Sequence, residues 1–458
     1  MEEIREKLRE IILGIFEVEV EPEVTVAPEG MPADFASNVA MKLAGRLHSA
    51  PMEIAGKIKE KIEEDGGAGF LVEVARPGFL NFRMKDEFFI EKLGEMRENF
   101  AEAMRIDKHK GELVICEFSD PNPFKVLHVG HLFTTVIGDA VARLYERAGA
   151  KVVRANFGGD IGMHVAKTMF ILQRKRMDRR MSATEVVEMI AKCYVEGTRA
   201  YEDNVFSKME ITAINKFLYQ VVEAGEDAEW ERAVKIQTDE GEVEIQGKRI
   251  AKMYWWGRKA SYEYFDEFYK ILGVKFDKYY PESSVMKRGI AEVSRGLKEG
   301  VFEKSNGAVV FLGEKYGLHT RVFINREGLP TYEAKDFGLG LTKWEDYKFD
   351  ENVVITGNDI IEYMKVIFKA EELVEPEVAK RSRHIAHGNL KLLGGVKMSS
   401  RKGNFVTAEE VIEAVKDELQ RETGSEDMRV VMAAIKFAFL KNKLEGNTNF
   451  DIHSSVRM

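Results

Sequence analysis

The chain has 458 residues, 45% of them hydrophobic and 32% charged, with a formal net charge of −9 and two cysteines. That length suggests two to four domains, and the acidic balance gives no general attraction to nucleic acid, so any such contact must come from local basic patches. Cys116 and Cys193 are too few for a disulfide framework or a four-ligand zinc site, no apolar run approaches the roughly 18 residues of a membrane span, and the start Met1-Glu2-Glu3-Ile4-Arg5 is not that of a signal peptide; the expected compartment is the cytoplasm.

Residues 1 to about 108 read as a separate α+β unit. Helical periodicity runs from about Ile4 to Phe16, Phe35 to Leu47 and Met52 to Ile62, followed by short strands at Phe70 to Val74 and Phe79 to Arg83 around the turn Arg76-Pro77-Gly78. Phe79, Asn81 and Arg83 share one side of their strand. An aromatic, an amide and a cation on one face suit contact with nucleic acid, although a core Phe79 beside a solvated Arg83 is as plain a reading. A helix from Phe88 to Phe100 leads into the basic joint Lys108-His109-Lys110.

The next stretch is the most informative. Leu113 to Phe118 is an apolar run short enough for a buried strand, and Pro121 and Pro123 forbid its continuation. Leu132, Val136, Ile137, Ala140 and Leu144 then repeat at helical spacing until Gly149, and Val152-Val153 opens another strand. Strand, turn, helix and strand make a βαβ unit, whose loop lies at the carboxyl end of the first strand, where open α/β sheets bind ligands. That loop holds His128-Val129-Gly130-His131 at a helix start, where backbone N–H groups and the helix dipole favour a phosphate. Gly130 lets a large ligand approach the backbone, and the imidazoles can donate hydrogen bonds to phosphate oxygens. The plainer alternative is a pair of helix-capping histidines beside a turn glycine.

Asn156-Phe157-Gly158-Gly159-Asp160-Ile161-Gly162 ends the second strand in another glycine-rich turn. Asp160 is expected to cap the following helix, and His164 either faces the crevice or is a buried structural histidine. A largely helical insertion is expected over roughly 175 to 285, opened by the capping box Ser182-Ala183-Thr184-Glu185. The basic cluster Arg174-Lys175-Arg176 with Arg179-Arg180 reads as a solvated face or a phosphate contact. Strand patterns at Ala308 to Phe311, Thr320 to Ile324 and Asn352 to Thr356 resume the sheet, while Tyr332 and Asp336, four apart on a helix, form a phenol and carboxylate pair able to hold a cation. Finally, Lys397-Met398-Ser399-Ser400-Arg401-Lys402-Gly403 is a basic loop able to fold over a polyphosphate, followed by the capping box Thr407 to Glu410.

Together these stretches resemble the class I aminoacyl-tRNA synthetases: residues 128 to 131 look like their HIGH signature, and 397 to 401 like a variant of KMSKS. Within that class the chain resembles the arginyl-tRNA synthetases over nearly its whole length, through Glu117-Phe118-Ser119, Pro121-Asn122, Lys125, Asn156, Gly159-Asp160, Tyr332 to Asp336, Met398 to Gly403, and, near the start, Asp34 to Asn38 and Pro77 to Asn81.

The resemblance implies a Rossmann-like parallel-sheet catalytic domain over 109–405 with the helical insertion, preceded by a 1–108 domain that contacts the tRNA elbow through Phe79, Asn81 and Arg83. It implies ATP and Mg²⁺ as cofactors, and arginine and its tRNA as partners. Glu117, Ser119, Asn122, Tyr332, Asp336 and Asn358 would bind arginine. Gly130, Gly159, Asp160, Met398, Ser399, Ser400, Arg401 and Lys402 would bind ATP. His128, His131, Lys125 and Lys397 would act in catalysis, with no protein-held metal. Where the family commonly has glutamine or histidine after the Val353 to Ile355 strand, this chain has Asn358, Asp359 and Ile360. Residues 406–458 would begin the helical stem-contact region. The family's anticodon-binding domain is then expected to be absent, leaving a monomer, with a separate anticodon-binding polypeptide as a partner to look for. The rival readings are a paralogue delivering the amino acid to another acceptor and a non-catalytic tRNA-binding module.

Overall fold

The computed structural model describes residues 1–28, 30–65, 69–103, 106–178, 180–392 and 406–451. The expected basic loop, Lys397 to Lys402, lies outside the described residues. The chain divides into two compact units, Met1–Arg105 and Ile106–Met458.

In the first unit, helices Glu2–Phe16, Val39–Leu47 and Pro51–Glu64 pack Ile4, Leu8, Leu43 and Ile58 against Leu80 and Phe82 of a four-stranded antiparallel sheet. The hairpin Phe70–Ala75 with Phe79–Met84 forms along its whole length. The run expected to be helical from Phe35 begins instead as a strand, Phe35–Ser37, paired with Phe79–Met84, and Val24–Val26 adds a further strand beside it. Pairing across the sheet has overridden the local helical pattern, as strand formation depends on neighbours more than on propensity. Leu80 and Phe82 are fully buried, whereas Phe79 and Arg83 face outward and Asn81 is half-buried.

The second unit is built on five parallel strands: β1 (Leu113–Glu117), β2 (Lys151–Gly158), β3 (Lys278–Pro281), β4 (Glu351–Gly357) and β5 (Ser382–His387). Their order is β5-β4-β1-β2-β3. Because β1 is covered on both faces it reads as a continuous apolar run rather than an alternation. The chain leaves β1 through helix α1 (Val129–Arg147), steps outward to β2 and β3, then crosses to the other side of β1 for β4 and β5. The switch point therefore lies between the carboxyl ends of β1 and β4, the position where such sheets bind ligands.

Between β2 and β3 stand α2 (Met163–Leu172), α3 (Ala183–Asp203), α4 (Val205–Ala224), the hairpin Val234–Thr238 with Gly241–Ile245, and α5 (Gly247–Leu272). Ser182 and Glu185 cap α3 reciprocally, as their spacing requires. The chain rejoins the sheet at Lys278, ahead of the expected end near 285. It continues through α6 (Glu282–Lys298), α7 (Tyr332–Tyr347) and α8 (Ile361–Val374). The strands at Ala308–Phe311 and Arg321–Ile324 belong to a separate three-stranded antiparallel sheet; the main sheet resumes only at β4. Helices α9 (Ala408–Thr423) and α10 (Met428–Leu440) place Val411, Val415, Ile435 and Phe439 in the same core as Leu132, Phe133 and Val136 of α1.

Helix α1 reaches β1 because Gly138 has no side chain: a Cβ there would stand 2.1 Å from the Phe118 ring. Gly138→Ala should overpack this contact by about 1–3 kcal/mol, seen as a fall of a few degrees in Tm by calorimetry.

Candidate active site

A cavity of about 800 Å³ opens at the switch point, and Glu117, Ser119, Asn122, His131, Gly159, Tyr332 and Asp336 all line it. The residues expected from sequence to hold a cation are thus brought together from β1, the two loops that follow β1 and β2, and α7. Among the described residues its walls carry seven carboxyl side chains, Glu117, Asp120, Glu282, Glu333, Asp336, Asp359 and Glu371, against two cations, Arg321 and Lys343. Such an excess of one sign in a recess concentrates ligands of the other.

Several of these charges are matched internally. Lys343 Nζ lies 2.6 Å from Glu117 Oε2 and 2.7 Å from Asn352 Oδ1, with both ion-pair partners buried. Lys335 pairs with Glu282, also buried. Asp336 accepts a hydrogen bond from Tyr363, and burial pushes its carboxyl up to about 8. Burial likewise raises Glu371 to about 8, and its Oε2 is buried without a hydrogen-bond partner among the described residues. Sequence reasoning missed Lys343, Tyr363 and Glu371, although helical spacing carried a signal. Lys343 stands seven residues beyond Asp336, and Glu371 eight beyond Tyr363, each pair on one helix face.

A second cavity, of about 370 Å³, shares Asn122 and His131 with the first and adds Lys125, His128 and Lys192, with Glu188 as its single carboxylate among the described residues. Lys125 Nζ lies 5.2 Å from the Tyr194 ring centroid, an aromatic contact with α3. His128 is the N-cap of α1 and stacks on His131 with centroids 3.8 Å apart. The His128 backbone N–H donates to His131 Nδ1 at 3.2 Å. Burial, reinforced by Lys125, brings His128 down to about 4 and His131 well below the ordinary imidazole range. Both are therefore neutral near pH 7, and His131, accepting at Nδ1, carries its proton on Nε2. The pair caps the helix, and both residues also line this cavity. A Cβ at Gly130 would meet the His128 ring at 2.8 Å, so the glycine also makes room for the imidazole.

Asp160 does not cap α2, which starts from Gly162. Its carboxylate is fully enclosed and accepts from Ser283 N at 2.9 Å, Ser283 Oγ at 2.7 Å, Arg258 Nε at 2.8 Å and Tyr254 Oη at 3.3 Å. Oδ2 takes three of these bonds and Oδ1 one; the carboxylate lines neither cavity and ties the loop after β2 to α5 and α6. Asn122 Oδ1 accepts the Gly159 N–H at 2.8 Å, joining the two loops. His164 is buried and donates Nε2–H to the Gly159 carbonyl at 2.8 Å, with burial bringing it down to about 3. Ser119 is buried between Tyr269 and Thr135 at 2.8 and 2.7 Å. Asn358 is absent from the cavity wall and accepts instead from Asn389 Nδ2 at 3.1 Å; Asp359, Ile360 and Tyr363 line that side. Val406, just after the undescribed stretch, accepts the Val129 N–H at 3.1 Å, and Ala408 N–H donates to Leu127 at 3.0 Å. Phe79, Asn81 and Arg83 lie in the first unit.

A parallel nucleotide-binding sheet split by an insertion, with paired histidines opening α1, is the catalytic unit of a class I aminoacyl-tRNA synthetase. Residues 97–441 match the family described as tRNA synthetases class I (R), catalytic domain, and residues 2–84 match the arginyl tRNA synthetase N terminal domain. The chain belongs to the arginyl-tRNA synthetase family. It is similar to an arginine–tRNA ligase of Clostridium perfringens, 27% identical over 94% of this chain and 73% of that protein, and to one of Bacteroides fragilis, 28% identical over 89% and 69%. In fold it is similar to the arginyl-tRNA synthetases of Thermus thermophilus (TM-score 0.67, 20% identity, 99% of this chain and 78% of that one) and Plasmodium falciparum (TM-score 0.69, 17% identity, 100% and 77%).

The pKa of Glu371 makes a stability prediction. A carboxyl raised in the folded state binds its proton more tightly than in the unfolded chain, so stability falls as pH rises from about 4 to about 8 and stays low above that. Glu371→Gln should therefore raise Tm at pH 9 and leave it nearly unchanged at pH 5; an equal change at both would refute the assignment.

Proposed function

We propose that the chain activates arginine with ATP to arginyl-adenylate and transfers it to the 3′ end of arginine tRNA. The carrying observation is the junction at Asn122 and His131 of a cavity rich in carboxylates and one rich in nitrogen donors. A guanidinium suits the first, because planar carboxylates meet it with paired, charge-assisted hydrogen bonds. A polyphosphate suits the second.

Asp336 and Tyr332 hold the guanidinium in this reading, with Glu117 kept in place by Lys343. Asn122 orients the α-carbon end toward His131. The arginine carboxylate oxygen attacks the α-phosphorus, the bond to pyrophosphate breaks, and the ribose hydroxyl of the tRNA end then displaces AMP from the acyl carbon. His131 Nε2–H and His128 stabilise phosphate oxygens as neutral donors, with Lys125 and Lys397 supplying positive charge. Asp160 acts by positioning the loop that carries Gly159. A magnesium ion would neutralise polyphosphate charge; with Glu188 the one carboxylate among the described residues lining the basic cavity, it fits best as an ion carried in on the nucleotide. Phe79, Asn81 and Arg83 are assigned to tRNA contact.

The direct test is AMP release with Mg-ATP and each amino acid in turn, with and without arginine tRNA, and gel detection of the charged product. His128→Ala should lower kcat about 10²- to 10³-fold, the usual effect of losing one transition-state donor, while Tm falls only by the few degrees that loss of a helix cap costs. Asp336→Ala should raise KM for arginine far more than for ATP; equal effects on both would displace the arginine pocket.

Pairing with a guanidinium requires Asp336 to be ionised, whereas burial holds it at about 8 before arginine arrives. Arginine binding at pH 7 should release close to one proton and tighten as pH rises toward 8. Calorimetric titration in buffers of different ionisation enthalpy measures this directly; no buffer dependence would overturn it.

A further inference from the structure

The carboxylates of the acidic crevice differ in the kind of partner that the fold gives them. Glu117 has Lys343, Glu282 has Lys335, and Glu333 has Arg321 at 3.4 Å. Asp336 has a neutral donor instead: the Tyr363 hydroxyl, on the first turn of α8, donates to Asp336 Oδ2 on α7. Among the described residues no other hydrogen bond reaches this carboxyl, which leaves Oδ1 for a ligand in the cavity that both residues line.

Tyr363 is held as a donor. Its ring packs against the core that contains Phe337 and Ile367, and the Arg321 guanidinium stands 5.3 Å from the ring centroid. Burial and the neighbouring carboxylate push the phenol well above its ordinary range, so the proton stays on the oxygen. The other surroundings of Asp336 oppose its ionisation: burial first, then Glu117 of β1, Glu282 of α6 and Glu333 of its own helix. Asp120, Asp359 and Glu371 add acid to the same walls, while Lys343 and Arg321 are engaged by Glu117 and Glu333. The Tyr363 hydrogen bond acts in the opposite direction and favours the carboxylate.

A cationic side chain in this place would neutralise Asp336 and compete with an incoming guanidinium, whereas an apolar one would leave the carboxyl protonated. A neutral donor does neither. We propose that Tyr363 is a positioning and specificity-determining residue, whose hydrogen bond keeps Asp336 oriented and ionisable so that the crevice selects the guanidinium of arginine over a neutral side chain of the same shape, such as the urea of citrulline. An ionised carboxylate only accepts hydrogen bonds and so favours a group made entirely of donors, while a protonated one can donate to a urea oxygen. The inference rests on the arginine-activating reading and adds to it the residue that sets the charge of its pocket.

The test is calorimetric binding of arginine and of citrulline to the full chain between about pH 6.5 and pH 8.5, for the wild type, Tyr363→Phe, Asp336→Asn and the double variant. Losing a hydrogen bond to a charged group should cost Tyr363→Phe about ten- to a hundredfold in arginine affinity near pH 7. A carboxyl deprived of its donor titrates at higher pH, so this loss should shrink toward pH 8.5, with affinity still climbing where the wild type levels off. Citrulline binding should hardly change, so the preference for arginine should fall by the same factor as its affinity. In the Asp336→Asn background Tyr363→Phe should leave arginine affinity unchanged, because it acts through the carboxylate; two independent losses would overturn the proposal. Should Tyr363→Phe fail to fold, 3-fluorotyrosine introduced at Tyr363, a stronger donor of nearly the same shape, should move the rise to lower pH, and no movement would overturn it. A wild type that binds arginine, beside a Tyr363→Phe variant with the same pH curve and the same preference, would refute this inference alone. A wild type that binds no arginine would refute the reading on which it rests.

Discussion

The buried carboxylate of Asp160 is the joint on which the second unit depends. It accepts hydrogen bonds from Tyr254 and Arg258 of α5 and from the backbone and hydroxyl of Ser283 at the start of α6. One side chain therefore fixes the loop after β2, the last helix of the long segment between β2 and β3, and the first helix after β3. Removing one partner of a buried, hydrogen-bonded charge pair is far more damaging than a surface ion pair would suggest, because the other charge is left uncompensated. The active-site loop and the segment between β2 and β3 are consequently held in one geometry.

The same logic recurs around the crevice. Glu117 with Lys343 and Glu282 with Lys335 are buried ion pairs that keep two carboxylates in place without giving up the overall acidic excess. Among the described residues Asp336 and Glu371 have no such cation, and burial raises both toward neutrality. The crevice thus combines carboxylates already satisfied by internal partners with others that become favourable only when a cation arrives. A cationic ligand would relieve the desolvation penalty that the fold imposes, which is a physical basis for selecting arginine over neutral amino acids.

On the other side of Asn122 the chemistry reverses. The stacked, neutral histidines of α1 donate hydrogen bonds without adding fixed charge, while Lys125 supplies it. Gly130 serves this arrangement through packing, by admitting the His128 ring, and Gly159 does the same where a Cβ would meet Asn122 Oδ1 at 2.6 Å. At both positions neighbouring side chains leave no room for a Cβ.

The βαβ unit around residues 113–158, the helix caps at Ser182 and Thr407, and the grouping of Glu117, Asn122, His131, Tyr332 and Asp336 were legible in the sequence. Apolar periodicity, prolines and capping residues act over a few residues, and the motif residues carry their family resemblance in their order. Other features came only from the tertiary structure. Phe35–Ser37 became a strand because a hairpin more than thirty residues away offered it a register, and Asp160 turned from a cap into a buried clamp because α5 and α6 met its loop. Asn358 was drawn away by Asn389, while Lys343 and Glu371 entered the crevice from helices whose inward faces only packing could select. Local sequence determined which elements form and which chemistry they carry; the partners of each charge, and so its function, were decided by contacts between residues far apart in the chain.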